Sequence, residues 1–140
     1  MARHTAPQLT DRLDAPAAPA RPLAVSLLLS LRPSQWTKNL IIFAALMFGQ
    51  RLLDPTSVLQ ATAGFVIFCA LSGVVYLVND IADRDADRGH PVKKDRPIAS
   101  GALPVRIAAP AAVVIAAAGI ASAYWLRPLF GVLATAYLLL

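Results

Sequence analysis

Four of the eight acidic residues, all of them Asp, fall within Asn79-Asp80-Ile81-Ala82-Asp83-Arg84-Asp85-Ala86-Asp87. If this segment is helical, each residue advances by about 100°, so Asp80, Asp83 and Asp87 lie within an arc of about 60°. Asn79 then stands beside them and Asp85 roughly opposite. Three carboxylates on one face repel each other unless a cation or basic side chains offset them. Mg²⁺ suits such a face, because this hard ion takes one or two carboxylates and completes its shell with waters and substrate phosphate oxygens. An ion held there would neutralise a departing diphosphate and orient it for displacement. Two plainer explanations compete. A solvated acidic helix end paired with Arg84 and Arg88 fits the composition but explains the spacing poorly. An EF-hand loop starting at Asp83 would need Gly and Glu where the chain has Arg88 and Lys94, and it fails.

The segment downstream, Gly89-His90-Pro91-Val92-Lys93-Lys94-Asp95-Arg96-Pro97-Ile98-Ala99-Ser100-Gly101, is basic and turn-rich. Lys and Arg bind phosphate, Arg often through two parallel bonds, and two prolines and two glycines favour a compact loop. Taken alone, such a loop needs no role beyond fixing membrane topology. Beside three aligned carboxylates it becomes the anion-holding half of a metal–diphosphate site. His90 reads as structural, Cys69 and Met47 as packing, and Trp36 as an interfacial anchor.

These residues must be positioned by elements that cross a membrane. The chain has 140 residues, of which 57% are hydrophobic and 15% charged, whereas soluble domains carry about 25% charge. That hydrophobicity excludes disorder over most of the chain, and the single cysteine excludes a disulfide scaffold. A net charge of +5 suits nucleic acid or an anionic membrane, and the apolar composition selects the membrane and no nucleic acid. No Asp, Lys or Arg lies between Asp54 and Asp80 or between Arg106 and Arg127. About 20 helical residues cross the hydrocarbon layer, so both stretches qualify. Spans are expected at about 36–53, 56–80, 104–126 and 128–140, with an interfacial helix over Pro22–Leu31 and a disordered cytoplasmic tail at 1–21. The last run is apolar to its final residue, where a helix ending in lipid would leave carbonyls unpaired. The fold expected is therefore all-α, a multi-span transmembrane helix bundle truncated after about four spans, with 22–140 as the N-terminal part of a larger domain.

Orientation follows from the Lys and Arg of successive loops. Five precede the first span, one (Arg51) follows it, six lie between Arg84 and Arg106, and Arg127 stands alone after the third. The alternation places the N-terminus and the Asp-rich loop in the cytoplasm of a multi-pass cell-membrane protein, with Tyr124 and Trp125 as an outer aromatic anchor.

Asn79-Asp80-x-x-Asp83-x-x-x-Asp87 after a transmembrane helix resembles the first aspartate-rich motif of the UbiA superfamily of intramembrane prenyltransferases. Arg32-Pro33-Ser34-Gln35-Trp36-Thr37-Lys38-Asn39, His90-Pro91-x-Lys93 and Arg96-Pro97-Ile98-Ala99-Ser100-Gly101 resemble its decaprenyl-phosphate phosphoribosyltransferase branch. The resemblance implies a Mg²⁺-dependent transferase with a lipid-accessible cavity. Its donor would be 5-phosphoribosyl diphosphate, its acceptor a polyprenyl phosphate and its product a precursor of cell-wall arabinan. The alternative within the superfamily moves a prenyl group from its diphosphate to an aromatic acceptor; outside it stands a non-catalytic membrane module or remnant. By resemblance Asp80, Asp83 and Asp87 would hold Mg²⁺ and Asn79 would orient the site, with Lys38, Lys93, Lys94 and Arg96 as candidate phosphate contacts. The family's second Asp-rich motif is absent from these residues, so the isolated chain is expected to be inactive.

Overall fold

A computed structural model describes residues 21–140. The expected tail, except for Arg21, lies outside the described residues. Among those described there is no β-strand. The helices are α1 (Leu23–Ser30), α2 (Ala44–Phe48), α3 (Pro55–Ala82), α4 (Arg84–Gly89), α5 (Val105–Leu126) and α6 (Pro128–Leu139). 3₁₀ helices cover Pro33–Phe43, ahead of α2, and Lys93–Asp95, after α4.

α3 begins at a cap written into the sequence. The Asp54 carboxylate accepts the Thr56 N–H at 3.1 Å and the Ser57 hydroxyl at 2.6 Å, and Pro55 occupies the first turn, where its missing N–H costs nothing. The Ser57 hydroxyl, joined by the backbone N–H groups of Thr56 and Ser57, holds the Asp54 carboxyl below its ordinary pKa. The cap is thus complete above the unfolded carboxyl's pKa and weakens as pH falls through the lowered value. With 28 residues, α3 rises about 42 Å, more than the hydrocarbon layer, so one end projects into the headgroup region. α5 has 22 residues, and both helices are long and apolar enough to cross a membrane.

Within 36–53 the chain is not one regular helix. The first 3₁₀ helix runs into α2, and the winding stops at Gly49 before Gln50 takes a left-handed φ of 53°. A 3₁₀ helix rises about 2.0 Å per residue, so Pro33–Phe48 covers about 30 Å with only 16 residues. Between α5 and α6 the break is steric. Arg127 precedes Pro128, is driven out of the helical region and is extended (φ −159°, ψ 128°).

The interior is built from close approaches of α5 to α3. Ala108, Ala112, Gly119 and Ala123 are the buried residues of α5 and form a stripe of small side chains, the pattern that lets membrane helices touch. A Cβ on Gly119 would stand 2.6 Å from Cδ2 of Leu71, which is itself fully buried. Leu71, Ala123 and Ala134 join α3, α5 and α6. Val74 and Leu77 of α3, Ile98 and Leu103 of the connecting loop, and Ala108 and Ala112 of α5 form the second cluster. That cluster seats the loop on the polar end of the bundle. Large apolar side chains such as Val66, Val113 and Trp125 remain exposed on the periphery, as expected of helices whose outer faces meet lipid.

Gly119→Val should force the α3–α5 contact apart and cost about 1–3 kcal/mol, read as a lower melting temperature of the full-length protein in detergent. Leu71→Ala in the same background should recover part of the loss. An unchanged melting temperature for Gly119→Val would contradict the packing.

Candidate active site

One face of α3 carries the site. Gly73, Tyr76 and Asp80 follow at helical spacings of three and four residues and so share a stripe. Gly73 is required by its neighbour: a Cβ there would stand 3.0 Å from Leu31 Cβ and 3.1 Å from the Leu31 carbonyl oxygen. The notch seats Leu31 against α3 and brings the next residue, Arg32, to Asp80. Arg32 takes a left-handed conformation (φ 52°, ψ 64°), which costs a residue with a side chain about 1–2 kcal/mol. Its guanidinium offsets that strain. Nη2 donates to Asp80 Oδ1 at 2.6 Å, and Cζ lies 4.6 Å from the centre of the Tyr76 ring, a cation–π arrangement. The Trp36 indole N–H donates to the Leu31 carbonyl at 3.2 Å and fixes the corner from the other side.

The second cation comes from the loop. Leu103 donates its N–H to the Pro97 carbonyl at 2.8 Å, and Ile98 and Leu103 are sunk into the core, so the chain around Arg96 is anchored. Arg96 Nη1 donates to Asp80 Oδ1 at 3.2 Å and to Asp87 Oδ2 at 2.7 Å. Lys93 Nζ stands 3.7 Å from Asp87 Oδ1. The carboxylates are nearly inaccessible, with side-chain exposures of 4% for Asp80 and 3% for Asp87. Charges buried to that degree must be paired. Three cations face the two carboxylates, which leaves one positive charge over.

The structure therefore brings together Asp80, Asp87, Arg96 and Lys93, and it leaves other sequence candidates apart. α3 ends at Ala82, and Asp83 (φ −87°, ψ 2°) is the joint between α3 and α4. Helical hydrogen bonding passes through the joint, from Asp83 N–H to Asn79 and from Asp87 N–H to Asp83, each at 2.8 Å, but the Asp83 side chain is exposed. Among the described residues no three His, Cys, Asp or Glu side chains gather as a ready metal cage. Asn79 is exposed and lines a cavity of about 480 Å³ together with Val75, Val78, Tyr137, Leu138 and the last residues, Leu139 and Leu140. Lys38 and Lys94 are exposed. Arg32 and Tyr76 are site residues that sequence reasoning did not select; the only signal was Arg32-Pro33 at the head of the segment before the first span.

Carboxylate oxygens of Asp80 and Asp87, with Asp83 and Asn79 close along the chain, are the donor chemistry that a hard divalent ion takes. The guanidinium of Arg96 now lies where the two buried carboxylates converge. Arginine in that place serves equally as a bidentate phosphate ligand once the carboxylates are otherwise neutralised.

A profile of the UbiA prenyltransferase family matches residues 39–140. Decaprenyl-phosphate phosphoribosyltransferase of Corynebacterium glutamicum is 39% identical over 104 residues, covering 73% of this chain and 31% of the relative. The enzyme of the same name from Mycobacterium tuberculosis is 36% identical over 129 residues, covering 89% of this chain and 43% of the relative. That from Mycolicibacterium smegmatis is 33% identical over 137 residues, covering 95% and 43%. The chain thus spans less than half the length of these relatives. The family match extends over most of the chain and includes the helix, the Asp-rich joint and the basic loop just described, so this chain belongs to the UbiA prenyltransferase family.

Proposed function

We propose that these residues form the first half of the active site of an integral membrane transferase that displaces diphosphate from an activated donor. The donor is 5-phosphoribosyl diphosphate and the acceptor a polyprenyl phosphate. The observation that carries this reading is the pair of buried carboxylates, Asp80 and Asp87, clasped by Arg32 and Arg96 at the end of an apolar helix. The names of the relatives support the choice of phosphoribosyl transfer over aromatic prenylation.

In this chemistry the bond between ribosyl C1 and the diphosphate oxygen breaks, positive charge grows on carbon, and an acceptor phosphate oxygen closes the new bond. Asp80 and Asp87, with Asp83 at the joint between them, would hold Mg²⁺, which would supply charge neutralisation for the leaving group. The remaining work falls to this chain's own residues. Arg96 and Lys93, released in part from the carboxylates, would bind the diphosphate, and Lys38 and Lys94 would extend the positive rim. Arg32, locked onto Tyr76 and Asp80, keeps the first carboxylate in place. The cavity beside Asn79, with Val75, Val78 and Leu138 in its wall, would take part of the polyprenyl chain. We place the N-terminus and this site on the cytoplasmic side, in accord with the loop charges.

In membranes bearing the full-length protein, Asp80→Asn and Asp87→Asn should lower transfer of labelled phosphoribosyl to decaprenyl phosphate by about 10²–10³-fold with expression retained. A labelled prenyl diphosphate should give no product with 4-hydroxybenzoate. Undiminished turnover in both variants would remove the site assignment, and prenylation of the aromatic acceptor would select the other chemistry. For topology, Ala102→Cys should react with an impermeant maleimide only in inside-out vesicles and Leu53→Cys only in right-side-out ones. The reverse pattern would invert the orientation.

A further inference from the structure

A second basic site lies on the outer side of the same loop. Arg84, Arg88 and Arg106 line one cavity of about 340 Å³ whose wall also includes Ile98, Leu103 and Gly101. No residue of the Asp80–Asp87–Arg96 cluster lines it. The volume is about eleven times the roughly 30 Å³ share of a water molecule and lies at the lower end of the range of small-ligand pockets. Three guanidinium cations around one cavity repel one another.

Their local partners do not neutralise them. Asp85, exposed to solvent, is the only carboxylate recorded against them among the described residues, at 3.5 Å from Arg84 Nε and 3.5 Å from Arg88 Nη1. Arg84 Nε is enclosed and has no hydrogen-bond partner among the described residues. Arg88 is tethered by its Nε, which donates to the Ala99 carbonyl at 3.1 Å, and the residue lines the cavity. Arg106 sits in the first turn of α5, a turn without a side-chain cap. The floor is rigid, since Ile98 and Leu103 are almost wholly buried.

We propose that this pocket binds a phosphate group at the membrane surface, distinct from the diphosphate of the transfer site. Phosphomonoester or phosphodiester oxygens match the forked donors of arginine, and either an anionic lipid headgroup or free phosphate carries them. The inference does not depend on which transfer reaction the neighbouring site performs.

The test uses the full-length protein in nanodiscs of phosphatidylcholine, alone or with one-fifth phosphatidylglycerol. Saturable broadening of the inorganic phosphate ³¹P resonance in phosphatidylcholine nanodiscs would identify a free-phosphate site. Retention of phosphatidylglycerol through detergent exchange, seen by native mass spectrometry without such broadening, would identify a lipid site. In whichever arm responds, Arg84→Gln/Arg106→Gln should weaken binding about tenfold or more, and Arg51→Gln/Arg127→Gln at the other end of the bundle should leave it unchanged. Asp85→Asn, which removes the competing carboxylate, should tighten binding, an effect that misfolding does not produce. Equal behaviour of wild type, the double Arg variant and Asp85→Asn in both arms would overturn the proposal.

Discussion

Two carboxylates buried where α3 gives way to α4 are tolerable only if cations are brought to them, and the cations here come from elsewhere in the chain. Arg32 arrives from 48 positions before Asp80, and Arg96 from the loop after α4. Much of the local architecture follows from that electrostatic demand. Gly73 opens the notch that admits Leu31, the backbone of Arg32 accepts a left-handed strain, and Ile98 with Leu103 is driven into the core so that Arg96 reaches both acids. Removing one partner of a buried pair leaves an uncompensated charge and costs about 3–5 kcal/mol, more than the strain at Arg32.

The same demand links stability to chemistry. The carboxylate pair already faces one positive charge more than it carries, so a divalent ion reaches it only if a cation leaves. A divalent ion on the acids frees guanidinium groups for an anionic ligand, so a metal and a diphosphate would enter together. This gives a physical reason for a basic loop and an acidic helix end to occupy one corner of a membrane protein. Asp83, at the joint between α3 and α4, stays exposed while Asp80 and Asp87 are buried.

Much of this was legible in the sequence. Charge-free runs marked α3 and α5 because lipid admits no unpaired charge, and the small residues of α5 announced close packing. The Asp-rich segment and Arg96 were visible from residue type and spacing. Three things were not. Helical periodicity groups Asp80, Asp83 and Asp87 only while the helix continues unbroken, and the joint at Asp83 separates its side chain from the other two. The run at 36–53 carried an apolar signal without revealing that a 3₁₀ winding over Pro33–Phe43 covers the distance with fewer residues. The Arg32–Asp80 pair is a contact between distant segments, and no local pattern encodes such a contact; the glycine notch that makes it possible has no signature beyond Gly73 itself.

We propose that Asp80 and Asp87 exchange Arg96 and Lys93 for a divalent metal when a diphosphate donor binds, while Arg32 stays on Asp80. Electron paramagnetic resonance of Mn²⁺ added to the full-length protein in nanodiscs tests it directly. Mn²⁺ should be weakly held alone and tightly held with phosphoribosyl diphosphate, with ³¹P hyperfine coupling in the bound spectrum that Asp80→Asn and Asp87→Asn abolish. A bound signal unaffected by either substitution, or Mn²⁺ that stays free in the presence of donor, would contradict the account.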